Sequence, residues 1–324
     1  MTRSIDYPLI QATIIRRDDQ TDEISAFELV AADGSPLPAY EAGAHVDVVL
    51  GPDLIRQYSL CSAPRSASGE TVYRLGVLND PNSRGGSRHI HTKIKVGGEV
   101  QISPPRNHFP LTMDAAHSLL IGGGIGITPM IAMGYALKSA GKSFELHYCT
   151  RSESKAAFLT ELRDAFGDSL ILHFDDAGDA DRINPKALVA AHTDSHLYVC
   201  GPSGFMDWVI GQGKDAGLPD SQIHSEYFNA EVDISGGAFE VYAQISDVTV
   251  QVGPNESIAT ALAAAGVQVQ LSCEEGVCGT CLCDVVEGVP DHRDHFLTDE
   301  EKEDNDQITV CCSRAKSDRL VIDV

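Results

Sequence analysis

Four cysteines near the end of the chain, Cys273, Cys278, Cys281 and Cys311, constrain its fold more than any other feature. A C-x4-C-x2-C spacing with a distant fourth thiolate needs one tight loop presenting three sulfurs and a remote strand presenting the last. That is the ligand pattern of a plant-type [2Fe–2S] cluster. Gly276 and Gly279 in "CEEGVCGTC" supply the backbone freedom such a loop requires. Structural zinc and disulfides are the competing readings, but zinc sites pair C-x2-C with a second short Cys or His pair, which is missing here. A Rieske centre replaces two Cys by two His on one iron, and no His lies between Cys273 and Cys283. The pattern therefore suits a donor to an oxygenase better than the oxygenase itself. Cys283 and Cys312 crowd it, and "ITVCCSRAK" reads as a strand entering a turn.

With 324 residues the chain can bury more than one core, which predicts two or three units. Its formal net charge of −23 excludes nucleic acid as a partner. About half of that excess falls in residues 236–324, where 17 Asp and Glu face 5 Lys and Arg for a net of −12. The run "TDEEKEDND" (298–306) is the densest part. It reads either as a solvated helix face or as an acidic surface that steers a basic redox partner into transient contact. The longest apolar stretch, Ser118 to Leu137, contains Gly122, Gly123, Gly124, Gly126 and Pro129, so it reads as strand, loop and helix and not as a membrane span. The N-terminal "MTRSIDYPLIQATIIRRDD" lacks an apolar signal core, which predicts a cytoplasmic protein with reduced cysteines.

In the middle of the chain, "HSLLIGGGIGITPMIAMGYALKSAGK" predicts a buried strand (118–121), a glycine loop (122–126) and a helix capped by Thr128, with Pro129 first and Gly141 at its end. Free amides at that helix start suit a pyrophosphate. The loop runs G-x-G-x-x-P from Gly124, departing from the usual dinucleotide fingerprint. Further alternation follows in "SFELHYCTR" (143–151), an Ala- and Leu-rich helix (156–166), "LILHFDD" (170–176) and "HLYVCGPSGFMDWVI" (196–210). This predicts a doubly wound parallel sheet with Cys200 at its carboxyl edge, where ligands bind. Asp175 and Asp176 at a strand end can bind ribose hydroxyls and repel a 2′-phosphate, favouring NADH, whereas Arg151 can accept that phosphate.

The first hundred residues consist of short alternating runs, "AHVDVVL" (44–50), "RQYSLCS" (56–62) and "YRLGVL" (73–78), divided by turn residues; they predict an antiparallel β-barrel. Within them, Arg56 beside Tyr58 and Ser59 can pair with a phosphate while the ring lies against a flat heterocycle. In "SRGGSRHIH" (83–91), Gly85, Gly86 and Ser87 can offer amides to the same phosphate.

An R-x-Y-S barrel, a G-x-G-x-x-P loop, "CGP" and a plant-type cysteine set, in that order, resemble the phthalate dioxygenase reductase family, which includes vanillate O-demethylase reductases, over essentially the whole chain. The resemblance implies a multidomain fold of α/β and all-β parts. A flavin (FMN) barrel would span 1–110, an NAD-binding α/β domain 111–228, a linker 229–238, and a β-grasp ferredoxin domain 239–324. It implies Arg56 and Gln57 at the flavin phosphate side, Tyr58 flanking the isoalloxazine and Ser59 near its reactive nitrogen, with Gly85, Gly86 and Ser87 completing the phosphate pocket. Gly124, Gly126 and Thr128 would bind the nucleotide, with Arg151, Asp175 and Asp176 around its ribose. Cys200 and Gly201 would border the nicotinamide, and Phe228 would cover the flavin with Glu226 nearby. Cys311 is preferred to Cys312 as fourth ligand on the same ground. The residues alone leave FMN and FAD open.

The implied function is an NADH-dependent reductase feeding electrons singly to a Rieske non-haem iron oxygenase. The remaining alternatives are a passive ferredoxin-type carrier, or a reductase serving a cytochrome P450, a quinone or oxygen.

Overall fold

In the computed structural model, residues 7–51, 54–64, 72–81, 83, 85–178, 181–192, 194–228 and 232–324 are described. They form two compact units, one of the described residues between 8 and 228 and the other of residues 232–324 with Tyr7.

The larger unit begins with strands β1 (Ile10–Asp19), β2 (Ile24–Ala31), β3 (His45–Gly51), β4 (Leu54–Ser59) and β5 (Tyr73–Leu78), helix α1 (Gly86–Lys93) and strand β6 (Glu99–Ile102). Their sheet order is β4-β3-β6-β1-β2-β5, all antiparallel. A bridge between Leu60 and Leu75 joins the two edge strands and closes the barrel. Alternate residues point inward, as a half-buried strand requires, so Phe27, Leu29, Val46, Val48, Leu75 and Val77 fill the interior. Ile90 of α1 plugs it. The sequence reading missed α1 because its glycine-rich start reads as a turn.

Strands β7 (His117–Gly123), β8 (Phe144–Thr150), β9 (Leu170–Phe174), β10 (Ser195–Cys200) and β11 (Ile223–Glu226) alternate with helices α2 (Ile127–Ser139), α3 (Leu159–Phe166), α4 (Pro185–Ala191) and α5 (Ser203–Asp215). The sheet is parallel, in the order β11-β10-β7-β8-β9. It is apolar on both faces, as a covered parallel sheet must be. Leu120 packs with Met130, Met133 and Phe166 on one side, and Leu119 and Ile121 pack with Met206 and Val209 on the other. The chain steps from β7 to β8 and β9 and then returns to β10 beside β7, which makes β7–β10 the switch point where ligands bind such sheets.

Several local expectations need correction. Strand β7 extends through Gly122 and Gly123, where a Cβ at Gly122 would lie 2.9 Å from Ile127 Cα, so this glycine serves close packing. Helix α2 starts at Ile127 with Gly126 as its N-cap, so Thr128 does not cap it and Pro129 is not its first residue. A 3₁₀ turn over Gly124–Gly126 runs directly into the helix, and Thr128 Oγ1 donates back to Ile125 O at 2.9 Å. The helix expected from residue 156 begins at Leu159 because Phe158 takes φ 61°. The strand expected to reach 176 ends at Phe174, and Asp175–Ala177 form a 3₁₀ turn.

The smaller unit contains β12 (Phe239–Ala243), β13 (Val248–Val252), α6 (Ile258–Ala264), β14 (Leu282–Glu287), β15 (Pro290–Asp291), α7 (Asp299–Asp304), β16 (Gln307–Thr309), β17 (Arg314–Ala315) and β18 (Arg319–Ile322). A mixed sheet ordered β13-β12-β18-β14-β16 packs α6 against its apolar face through Val241, Leu262, Leu320 and Ile322. Arg314, 2 % exposed, donates to the carbonyls of Ile234, Glu256, Gly237 and Gly253 at 2.7–3.0 Å and lies over the Phe239 ring. Within the segment expected as a linker, Ile234 and Gly237 are thereby fixed to this unit, while residues 229–231 lie outside the described residues. Helix α7 carries the acidic run and buries none of its residues, with Thr298 and Glu301 forming a reciprocal capping box. Among the described residues no helix is long and apolar enough to cross a membrane.

Candidate functional site

Arg56 lies on β4, and its side chain runs across the start of α1. A Cβ at Gly86 would come 2.4 Å from Arg56 Cγ and 3.0 Å from its Nε, so only glycine leaves room for the guanidinium stem there. Gly85 precedes the helix with φ 95°, and no side chain among the described residues caps it, which leaves the first amides of α1 available beside a cation. An arginine at a helix N-terminus is the donor set an anionic phosphate needs. Ser87 Oγ accepts from Asp80 N at 3.3 Å. Gln57 is turned onto the buried Asp47, donating to Oδ1 at 3.1 Å, while Arg106 Nη2 lies 2.7 Å from both oxygens of that carboxylate. Tyr58 is half-buried against the barrel core, and burial pushes its phenol well above the ordinary range.

Ser59, Cys200 and Glu226 converge. Cys200 and Glu226 are register partners at the carboxyl ends of β10 and β11. Ser59 Oγ reaches Glu226 Oε2 at 3.5 Å. With a side chain only 14 % exposed, Glu226 is pushed by burial to about 8, so its carboxyl keeps its proton near neutrality. The Cys200 thiol is fully buried and raised by that burial, with Glu226 adding to the shift. Phe228, partly buried, packs against the hydrophobic cluster to which Cys200 belongs.

His45 also belongs to this constellation, and no motif announced it. It is the register partner of Ser59 across β3–β4 and sits in a run whose alternation reads as ordinary strand. Its Nδ1 lies 3.8 Å from Glu226 Oε1, beyond hydrogen-bond range, and both ring nitrogens are buried without a hydrogen-bond partner among the described residues. Burial, with Arg106 and His108 contributing, lowers it to about 3, so the ring is neutral and the pair is not ionic.

At the switch point, Gly124 adopts φ 56° with open space where a Cβ would stand. Gly126 plays a different part: a Cβ there would sit 2.2 Å from Cys200 O and 2.6 Å from Gly201 N, so it allows the two loops to touch. Thr128 is 1 % exposed, its methyl against Gly76 of β5 and its hydroxyl committed to Ile125, which places it between barrel and sheet and not in the crevice. Asp176 N donates to Arg151 O at 3.1 Å, bringing Arg151, Asp175 and Asp176 together at the carboxyl edge.

In the smaller unit, Cys273, Cys278, Cys281 and Cys311 are all at least 93 % buried. The Cys273 thiol engages those of Cys278 and Cys311, and Cys311 also engages Cys281 and Cys312. Their loop is wound by positive φ at Glu274 (59°), Gly276 (70°) and Gly279 (67°), which turns backbone amides inward. Glu275 N and Thr280 N lie 3.3 and 3.5 Å from the sulfurs of Cys273 and Cys278. The Cys278 thiol is pushed far up by the adjacent Cys273 and by burial, so an occupying metal centre supplies what deprotonates this set. The Cys312 thiol meets that of Cys311, lies 3.2 Å from Thr309 Oγ1 and packs against Gly276 of the loop. Buried Cys283 lies in the sheet core, its thiol pushed by burial to about 12.

Residues 241–316 match the family described as the 2Fe-2S iron-sulfur cluster binding domain. The chain is 50 % identical over 306 residues to the vanillate O-demethylase oxidoreductase of Pseudomonas sp. (strain HR199 / DSM 7063), covering 93 % of this chain and 96 % of that one. It superposes with a TM-score of 0.73 and 35 % identity on phthalate dioxygenase reductase, described as a modular structure for electron transfer from pyridine nucleotides to [2Fe–2S], over 98 % of both chains. It also matches an intact type IV self-sufficient cytochrome P450 monooxygenase, with a TM-score of 0.87 and 35 % identity, spanning all of this chain but 43 % of that longer one. Near-complete coverage at these identities, together with the cysteine pocket and the Ser59–Cys200–Glu226 convergence, shows that the chain belongs to the phthalate dioxygenase reductase family of oxidoreductases, which includes the vanillate O-demethylase oxidoreductases.

Proposed function

We propose that this protein is a cytoplasmic NADH-dependent reductase that passes electrons through FMN and a [2Fe–2S] cluster, one at a time, to a Rieske-type oxygenase acting on an aromatic compound by hydroxylation or demethylation. The division of labour follows the three expected domains, 1–110, 111–228 and 239–324. The observation that carries the reading is one chain holding both a switch-point crevice bordered by Ser59, Cys200 and Glu226 and a pocket of four buried thiols. When bound, the flavin accepts two electrons as hydride and releases them singly, as a one-electron cluster requires.

The protein's own residues position these groups. Arg56 and the open amides of α1 hold the flavin phosphate, with Gly86 keeping the space clear. Tyr58 flanks the ring system, and Ser59 offers its hydroxyl at the reacting edge. Glu226, protonated near neutrality, holds a proton beside Ser59 without placing a charge there. Phe228 covers the flavin face and yields to nicotinamide, which Cys200 and Gly201 border. Gly124 admits the pyrophosphate. Asp175 and Asp176 take the ribose hydroxyls and disfavour a 2′-phosphate. Cys273, Cys278, Cys281 and Cys311 ligate the cluster, and the acidic α7 steers a basic partner into transient contact.

Anaerobic titration with NADH, followed by visible absorption and low-temperature EPR, tests this. Flavin bleaching followed by a rhombic [2Fe–2S] signal is expected; bleaching without that signal reduces the protein to a simple flavin reductase. The match to an intact cytochrome P450 monooxygenase supports a second reading in which the partner is a P450, and turnover with each purified partner decides between them.

A further inference from the structure

The parallel sheet carries a second group of ligand-type side chains at its opposite edge. His117 opens β7, Glu145 is the second residue of β8, and His192 follows α4 directly. One donor atom from each lies within 4.8 Å of the other two. β7 runs from His117 to Gly123, so at the usual rise per residue this edge is about 20 Å from the switch-point crevice. Nothing in the proposed electron path uses it.

Its details suit an ion. His117 Nδ1 lies 2.8 Å from Ser143 Oγ, while its Nε2 is buried with no hydrogen-bond partner among the described residues. A ligating imidazole is typically arranged in this way, one nitrogen anchored and the other free. The two oxygens of Glu145 are divided: Oε2 lies 3.1 Å from His147 Nε2, and Oε1 lies 3.5 Å from His192 Nε2. His147 is oriented in turn by His173 at 2.9 Å, and His173 by the Asp181 carbonyl at 2.7 Å. The carboxylate is therefore held by a chain of outer partners that leaves Oε1 facing the histidines. The His117 and His192 rings stack at 4.0 Å with an 11° interplanar angle. For both lone pairs to converge on one ion, His192, one-third exposed in its loop, must turn about χ2.

We propose that His117, Glu145 and His192 bind one divalent transition-metal ion, zinc(II) by preference, with the remaining position taken by water. Two imidazoles and one carboxylate form a borderline-soft donor set that suits zinc and not calcium or magnesium. The ion ties the connection between α4 and β10 to strands β7 and β8, and its effect is on the stability of this edge.

The test uses the full-length holoprotein, treated with a mild chelator, loaded with zinc chloride and desalted. Zinc is then counted by mass spectrometry in the wild type, Glu145→Gln, His192→Ala and Ser143→Ala. Iron counted in the same samples shows that the cluster cysteines are not the site of uptake. One retained zinc per wild-type chain is expected, with affinity reduced at least about tenfold in Glu145→Gln and His192→Ala, and about 10- to 100-fold in Ser143→Ala through the lost anchor of His117. Zinc should raise the wild-type Tm and leave that of His192→Ala unchanged. Equal zinc uptake by wild type and His192→Ala, or none by wild type, overturns the proposal.

Discussion

Ser59 and Glu226, 167 positions apart in sequence, meet with Ser59 Oγ 3.5 Å from Glu226 Oε2, linking the last barrel strand before the closing bridge to the edge strand of the parallel sheet. That long contact favours the ionised form of Glu226 and so pulls its pKa down, but the burial that raises it is the larger effect. A carboxyl whose folded-state value lies above its unfolded one favours folding at low pH. Its contribution is complete below the ordinary carboxylate range and is lost as pH rises toward about 8. Relative to Glu226→Gln, wild-type stability should therefore fall by up to about 1.4 kcal/mol per pH unit between pH 6 and pH 8. Trp208, the single tryptophan, lies in α5 of the same unit, so urea unfolding followed by its fluorescence measures this. Parallel curves for the two proteins across that range would show that Glu226 does not titrate there.

Arg56→Ala should release flavin by removing a charge-assisted phosphate contact, weakening retention about 10- to 100-fold. Gly86→Ala should have a similar effect by a different route, since the new methyl meets the flexible Arg56 stem at 2.4 Å and displaces it without disturbing the barrel. Flavin absorbance per chain after gel filtration, beside an unchanged circular dichroism spectrum, is the readout. Stoichiometric flavin in both variants would refute the phosphate role.

Cys278→Ser should abolish electron delivery to a one-electron protein acceptor while sparing flavin reduction by NADH. Cys312→Ser should keep its iron, because Cys311 is the proposed fourth ligand and a serine at 312 can keep the hydrogen bond to Thr309 Oγ1. Stopped-flow flavin bleaching and iron content separate the two. Equal loss of both activities in Cys278→Ser would undo the proposed order of transfer.

Two glycines two residues apart should differ sharply in stability effect. Gly126→Ala drives a methyl to 2.2 Å from the Cys200 carbonyl, which is backbone and cannot swing aside. Its cost should reach about 3 kcal/mol, the upper part of the range for overpacking. Gly124→Ala meets open space but keeps φ at 56°, so its cost should be about 1–2 kcal/mol. Thermal unfolding of the pair gives the order directly, and a reversed order would refute this assignment of the two glycines.

Much of the architecture was legible because the relevant signals are short-range. Strand β5 was read to its ends and the first barrel run to within one residue of β3 from alternation alone, whereas the run at 56–62 fell two to three residues late against β4. The entry to α2 was misread because Thr128 and Pro129 look like a cap and a first residue, whereas the 3₁₀ turn at Gly124–Gly126 brings the chain into the helix earlier. Likewise, α1 was missed because a helix opening on glycines carries little propensity of its own and is held by packing Ile90 into the barrel.

The sequence by itself determined the cluster loop. Three of its four cysteines lie within nine residues, and the glycines that wind them are their immediate neighbours, so local chemistry suffices. It likewise carried the ordered motifs that mark the family. Only the tertiary structure decided that His45 stands opposite Ser59 and beside Glu226, that Thr128 is buried under Gly76, and that His117, Glu145 and His192 share one edge. Those juxtapositions arise from strand register and crossover connections, which pair residues tens to hundreds of positions apart. A side chain placed by pairing leaves no pattern in its own neighbourhood.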